Sequence, residues 1–176
     1  MTDPLIFAFA VGMIAILVAS FITRWVLKRD QGTSRMREVN GYIILGTKAY
    51  LKRQLRTILL VIPWLAIIIF FLFSWATAIA FVFGVLLSLL AGYIGMNIAV
   101  RANIRTAHAA TRSSGETLRT GFLGGSVMGL VVPGISLVAL YLLSIALGDP
   151  SALVGFGFGA SLAALFSQIG GGIYTK

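Results

Sequence analysis

Cysteine is absent from this chain of 176 residues, which also has a single histidine and only five acidic residues. The missing thiol excludes disulfides, thiolate catalysis and zinc–thiolate sites. One histidine and a few scattered acids leave little material for a metal site. Charge of any kind is scarce, at 11% of residues against about 25% in an ordinary soluble domain.

The charges that do occur avoid long stretches of the chain. None lies between Thr57 and Val100. Hydrophobic residues make up 59% of the sequence and the mean hydropathy is +0.98. No soluble fold of this size could bury such an uncharged run. The composition therefore predicts an all-α polytopic membrane protein.

Five segments are long and apolar enough to cross a bilayer, which requires about 20 residues in a helix. We predict spans at residues 5–26, 58–74, 77–100, 120–147 and 152–174, all within one transmembrane region covering residues 1–176. Apolar residues at helical spacing from Met36 onward predict that the second helix begins before its span. A capping-box pattern from Ser113 to Glu116 predicts that the fourth helix starts near Gly115.

Lysines and arginines outnumber acidic residues, which gives a net charge of +9. Their positions predict which side of the membrane each connection faces. They occur at residues 24–56, at residues 101–119 and at Lys176, whereas the opposite side has only Asp3 and Asp149. The positive-inside rule places the basic connections and Lys176 in the cytoplasm and the N-terminus outside the plasma membrane. We interpret the basic residues as topology signals and contacts to membrane lipid. Nucleic-acid binding is not expected, because no aromatic residues interleave with these charges on an exposed face.

Small residues at four-residue spacing indicate where helices in a membrane pack closely. They occur in the third span at Gly84, Ser88 and Gly92, in the fourth at Gly121, Gly125 and Gly129, and in the fifth at Gly155, Gly159 and Ala163. The second span is almost entirely bulky. This pattern predicts that the first two spans are peripheral and the fifth is central.

Two polar residues of the fifth span are candidates for function. Gln168 lies within the span, where a polar side chain usually faces the bundle interior, either in a hydrogen bond between helices or along an ion path. Lys176 follows the Gly170–Gly172 run and could bind an oxyanion near the water interface. His108 has no second histidine or carboxylate at ligand spacing and is expected to be a bystander.

Several stretches are similar to the membrane-bound, ion-translocating inorganic pyrophosphatases. Residues 160–176, ASLAALFSQIGGGIYTK, resemble the fifth-helix signature of that family. Residues 46–58 resemble the entry to its second helix, residues 92–110 the end of its third, and residues 125–129 part of its fourth. The similarity is collinear along most of the chain.

This resemblance implies a sixteen-helix homodimeric pump that hydrolyses pyrophosphate in the cytoplasm and moves H⁺ or Na⁺ outward. Lys176 stands at the family's pyrophosphate-binding lysine. Gln168 stands where the family usually has an arginine of the ion gate; glutamine lacks the charge but can still hydrogen-bond to a carboxylate. The family's Mg²⁺-binding aspartates follow the lysine, so we expect no catalytic residue and no metal ligand within this chain, and K⁺ is a possible further cofactor.

The sequence thus predicts the N-terminal fragment of a pyrophosphate-driven pump, inactive by itself. The alternative is a small, non-catalytic membrane subunit or transporter that is complete at 176 residues. An open reading frame that continues into aspartate-rich sequence after Lys176 would favour the first interpretation, and a stop codon the second.

Overall fold

The computed structural model describes the backbone of residues 3–174 and the side chains of residues 4–171. Within that range the chain forms five long α-helices and no strand. These are α1 (Asp3–Leu27), α2 (Ser34–Leu72), α3 (Trp75–Ala110), α4 (Ser114–Leu147) and α5 (Leu153–Tyr174), with a short 3-10 turn at Pro150–Ala152. Each helix contains a stretch long and apolar enough to cross a membrane. The predicted all-α polytopic membrane fold is confirmed.

Hydroxyl side chains begin three of the helices. Thr33, Ser74 and Ser113 cap α2, α3 and α4, each accepting a hydrogen bond from the amide three residues on, at 3.1–3.3 Å. Such a bond satisfies one of the first amides of a helix, which have no partner within it. The predicted start of the fourth helix near Gly115 agrees with the cap at Ser113. Ser74, which the sequence assigned to the end of the second span, instead begins α3.

Three helices are much longer than a bilayer requires. α2 has 39 residues, which is about 58 Å at 1.5 Å per residue, against a hydrocarbon core of about 30 Å. It begins at Ser34, as the periodicity from Met36 predicted. α3 continues through Arg101 to Ala110, well past the predicted end of its span at Val100. The charged residues predict where each span ends, but the helices continue through these residues.

α3 lies at the centre of these five helices and contacts each of the other four. α1 packs mainly on α4, while α2 and α5 pack mainly on α3. One buried cluster joins α2, α3 and α5 around Phe81, a second joins α1, α3 and α4 around Val127, and a third joins α3, α4 and α5 around Phe156. The sequence predicted a central fifth span. Among the helices described, α3 has that place and α5 leaves one face uncovered.

Glycine allows the backbones of α3 and α5 to touch. A Cβ added at Gly84 would collide with the carbonyl of Phe156, and one at Gly159 would collide with the carbonyl of Phe81. Gly155 meets the carbonyl of Thr77 in the same way. Helices in lipid associate through such close packing, since lipid tails are as apolar as the side chains. The small-residue stripes predicted in the third and fifth spans include the glycines that meet here, although the sequence did not pair these two helices.

The same pattern was only partly right for α4, where Gly121 alone of the three predicted glycines meets α3, beside Thr106. Gly125 and Gly129 have no atom within 4 Å of an added Cβ, and Gly92 of α3 is equally open. Among the glycines of α4, the tightest contacts are those of Gly124, beside Ala102, and of Gly134, beside Gly12 of α1. Helices cross at an angle, so a stripe of small residues stays in contact for only part of its length.

The α3–α5 contact can be tested with two glycines of α5 that differ only in their surroundings. Gly159→Ala should destabilise the chain in detergent micelles by about 1–3 kcal/mol, because the added methyl forces two backbones apart. Gly157 faces open space, so Gly157→Ala should be neutral or stabilising by up to about 1 kcal/mol, the gain in helix propensity. Unfolding by added denaturing detergent measures both. Equal effects of the two substitutions would contradict the described packing.

Candidate functional site at the carboxyl end of the fifth helix

The sequence selected two residues, Gln168 and Lys176. Lys176 is outside the described residues. Gln168 is on α5, two residues before the glycine run, and its side chain is exposed. It makes no hydrogen bond with any of the residues described.

Gln168 belongs to a face of α5 that no described helix covers. Gly157, Ser161 and Ala164 lie on the same face at helical spacing, and all are exposed. The opposite face carries Gly155, Gly159 and the buried Ala163 against α3. α5 is therefore small-residue-rich on both faces but packed on only one. A primary amide and a serine hydroxyl on the free face are polar groups that lipid would leave without partners.

Two side chains of α2 hold the helix turn that contains Gln168. The Tyr50 hydroxyl donates a hydrogen bond to the Ser167 carbonyl at 2.8 Å. One turn further along α2, the Gln54 amide donates to the Ser167 hydroxyl, which itself donates to the Ala163 carbonyl at 2.9 Å. Tyr50 is only 6% exposed. The helical pattern from Met36 onward predicted the helix that carries Tyr50 but gave no indication of this contact.

The Tyr50 ring also lies against the first glycines of the run. A Cβ added at Gly170 would be 3.3 Å from Cε2 of Tyr50 and 3.4 Å from its hydroxyl oxygen, and one at Gly171 would be 3.7 Å from that oxygen. The first of these distances is tighter than ordinary van der Waals contact. Gly170 thus makes room for the phenol that hydrogen-bonds to Ser167.

A second polar cluster joins the connection between α1 and α2 to the connection between α3 and α4. Its centre is Arg105 of α3, which is 6% exposed. Its guanidinium donates to the Leu27 carbonyl at 2.8 Å and to the Arg29 carbonyl at 3.1 Å. α1 ends at Leu27, so these bonds satisfy carbonyls that have no helical partner. A cation at this helix end is also favoured by the helix dipole.

Ion pairs surround Arg105 and line a cavity of about 200 Å³. Asp30 is 3.5 Å from Nε2 of His108 and 3.7 Å from Arg112. Glu116 is 3.7 Å from Arg29 and 4.0 Å from Arg112. His108 therefore has a carboxylate partner, which sequence spacing could not reveal because Asp30 lies in a different connection. The cluster ties two loops together at one end of the bundle.

Two groups in this cluster have shifted pKa values. The Gly32 N–H donates to Asp30 at 3.0 Å, and this bond is the main reason that the pKa of Asp30 lies below its usual value. Lost solvation opposes the bond as the second-largest effect, and His108 and Arg112 each lower the pKa by less. The contacts of ionised Asp30 are therefore present at neutral pH and are lost as acid protonates it below the ordinary aspartate range. Burial lowers the pKa of Arg105, with a smaller effect from Arg101, but an arginine remains charged at neutral pH.

The described part of the chain does not fit a metal site. It contains no group of three histidines, cysteines or acids that could share an ion. Asp30 and Glu116 are both engaged with basic side chains. Magnesium sites use several oxygen ligands, so no step of hydrolysis can be assigned to a metal held by this segment.

Comparison with known proteins gives a consistent set of relatives. The model of a family described as inorganic H⁺ pyrophosphatase matches residues 13–176. A K(+)-insensitive pyrophosphate-energized proton pump from Methanosarcina mazei is 47% identical over 94% of this chain and 25% of its own length. A K(+)-insensitive proton pump from Moorella thermoacetica is 44% identical, again over 94% and 25%. A putative K(+)-stimulated pyrophosphate-energized sodium pump from Clostridium tetani is 39% identical over 100% and 26%. The chain spans about a quarter of the length of these relatives.

Proposed function

Because the chain belongs to the inorganic H⁺ pyrophosphatase family, we propose that it is the N-terminal part of a membrane pump that couples pyrophosphate hydrolysis to transport of H⁺ or Na⁺. The family resemblance found in the sequence is thereby confirmed. The observation that carries the functional proposal is the match over nearly the whole chain to pumps about four times as long. The uncovered polar face of α5 supports it, since that face needs further protein or water around it.

We assign the pyrophosphate contact to Lys176. An ammonium group is a compact charge that binds phosphate oxygens by charge-assisted hydrogen bonds. The supporting features are its position after the glycine run and after a helix end held by Tyr50. Mg²⁺, which in the family activates hydrolysis, would be held by residues of the rest of the pump.

We assign the ion path to the face of α5 that carries Gln168. Gln168 precedes Lys176 by about two helical turns, roughly 12 Å at 1.5 Å per residue. That is too far to touch a phosphate held by Lys176 but suits an ion leaving the hydrolytic site. Its exposed amide, with no partner among the described helices, is available to a carboxylate from another helix.

Ion type and K⁺ dependence are proposed to depend on residues elsewhere in the pump. This segment is similar both to K(+)-insensitive proton pumps and to a putative K(+)-stimulated sodium pump. The family resemblance further implies a homodimer.

We also propose that the basic connections face the cytoplasm across the plasma membrane, with the N-terminus outside. The contacts of Arg29 with Glu116 and of Arg105 with the Leu27 carbonyl support a common side for both connections. The turn at Gly148–Asp149 would lie on the outer side, where no lysine or arginine occurs. This distribution follows the positive-inside rule.

The functional proposal is tested by the full-length protein and its Lys176→Ala variant. Wild-type protein in sealed vesicles should hydrolyse pyrophosphate and accumulate H⁺ or Na⁺. Losing one charge-assisted hydrogen bond, about 1.5–3 kcal/mol, should raise the KM for pyrophosphate roughly ten- to hundredfold. Lys48→Ala, at an exposed position of α2, is the matched control and should leave KM unchanged. Absence of pyrophosphate-driven transport in the wild type would refute the function, and an unchanged KM in Lys176→Ala would refute the assignment of Lys176.

The role of Gln168 predicts a separation of transport from hydrolysis. Gln168→Arg introduces a cation that lowers the pKa of any facing carboxylate, and Gln168→Leu removes the amide at similar volume. Both variants should change ion uptake in vesicles more than the KM for pyrophosphate in solubilised protein. If uptake and hydrolysis stay at wild-type levels, or fall in strict proportion, Gln168 is only a packing residue.

The orientation can be tested on this chain alone, because it has no native cysteine. Single cysteines in place of Ser34, Ser114 and Asp149 occupy exposed positions in three connections. An impermeant thiol reagent applied to intact cells should label only the Asp149 position. Labelling of the Ser34 or Ser114 position from outside would overturn the topology.

A further inference from the structure

We propose that Tyr50 and Gln54 of α2 are positioning residues for the pyrophosphate site: they hold the carboxyl-terminal turns of α5 and thereby place the glycine run and Lys176. This inference rests on the proposed function. Neither residue would touch the substrate. Their effect would pass through Ser167, Gly170 and Gly171 of α5.

The end of α5 needs external support to stay helical. Each glycine in a helix costs about 1 kcal/mol relative to alanine, and three occur in succession at 170–172. Helix ends also fray, because the last carbonyls have no partner within the helix. α5 nevertheless remains helical through this run to Tyr174. We therefore expect a contact with another helix to stabilise the helical conformation of the glycine run.

Tyr50 and Gln54 of α2 supply such a contact beside the first glycines of the run. They are one helical turn apart on α2 and so face the same side. Ser167, Gly170 and Gly171 are likewise neighbours on one face of α5. Two hydrogen bonds converge on Ser167, one to its carbonyl and one to its hydroxyl. The buried Tyr50 ring packs directly against Gly170.

The contact restricts motions that packing alone would permit. Toward the membrane, α2 and α5 meet through apolar residues such as Ile58, Ile62 and Ala163. Apolar surfaces can slide or rotate with little directional penalty, whereas hydrogen bonds require defined distances and angles. The hydrogen bonds of Tyr50 and Gln54 therefore specify how α5 is rotated about its axis, and where it lies along that axis relative to α2, next to the glycines.

A rigid support for this contact comes from the other end of α2. The helix is continuous from Ser34 through Gln54 into the apolar segment. Its start follows the Gly32 turn, whose φ of 77° is in the left-handed region. A Cβ added at Gly32 would be 2.8 Å from Nδ1 of His108. The connection before it is tied to α3 and α4 by the pairs of Asp30 and Arg29. Tyr50 thus projects from a continuous helix whose amino-terminal end contacts α3 and α4 through this connection.

The first measurement is amide hydrogen exchange, which does not depend on pump activity. Tyr50→Phe keeps the ring and removes only the hydroxyl. Exchange in residues 167–174 should become about two- to tenfold faster, the range for one lost neutral hydrogen bond, with the other helices unchanged. Gln54→Leu should act in the same direction, and Tyr42→Phe is the matched control because Tyr42 is 67% exposed on the same helix. Exchange unchanged in residues 167–174 overturns the proposal.

The second measurement separates positioning from stability in the full-length pump. Tyr50→Phe should raise the KM for pyrophosphate about two- to tenfold while kcat changes less, and Tyr50→Leu, which also removes the ring, should raise it further. Tyr42→Phe should match wild type. If wild type is active and Tyr50→Phe has an unchanged KM, the positioning role is wrong although the pump assignment stands. If wild type hydrolyses no pyrophosphate, the pump assignment fails, while exchange still decides whether Tyr50 orders α5.

Discussion

Contact between the backbones of α3 and α5 is the constraint on which the candidate site depends. Lipid offers no hydrophobic drive for helix association, so stability comes from dispersion and from close approach. Gly84, Gly155 and Gly159 allow that approach because a Cβ at any of them would strike a carbonyl of the facing helix. This contact determines the rotation of α5. Ser167 and Gly170 consequently face Tyr50, and Gln168 faces away from the bundle.

Polar interactions act where the apolar packing ends. Arg105 donates to the carbonyl of Leu27, the last residue of α1, and to that of Arg29 just beyond it. Asp30 and Glu116 pair with the basic residues around Arg105. Exposed ion pairs of this kind add little stability individually. The hydrogen bonds of the buried Arg105 matter more, since removing its guanidinium would leave helix-end carbonyls without partners. The hydrogen bonds of Arg105 therefore contribute more to holding the α1–α2 connection against α3 than the surrounding ion pairs do.

The sequence predicted the features that depend on local composition. Hydropathy predicted five long apolar helices, the periodicity from Met36 anticipated the long α2, and the small-residue stripes included the glycines at which α3 and α5 meet. The prediction failed where contacts depend on how two helices cross. α4 packs through Gly124 and Gly134, whereas the predicted Gly125 and Gly129 are open.

The polar contacts of the site were beyond the reach of sequence reasoning for a related reason. Tyr50 and Ser167 come from different helices far apart in the chain, as do Asp30 and His108. No local spacing connects such residues, and a tyrosine in an amphipathic pattern is as consistent with packing as with hydrogen bonding. The helix pairing has to be known before the partner of either side chain can be inferred.

The uncovered face of α5 links the fold to the size of the relatives. Gly157, Ser161, Ala164 and Gln168 form a narrow stripe that would let another helix approach as closely as α3 does on the opposite side. An amide directed at hydrocarbon is costly, and the cost disappears if a polar side chain or water meets it. Since the matched relatives are about four times as long, their remaining helices are the natural cover for this stripe. Under the proposed function, Gln168 would lie between two layers of helices, and the proposed ion path beside it would be shielded from lipid.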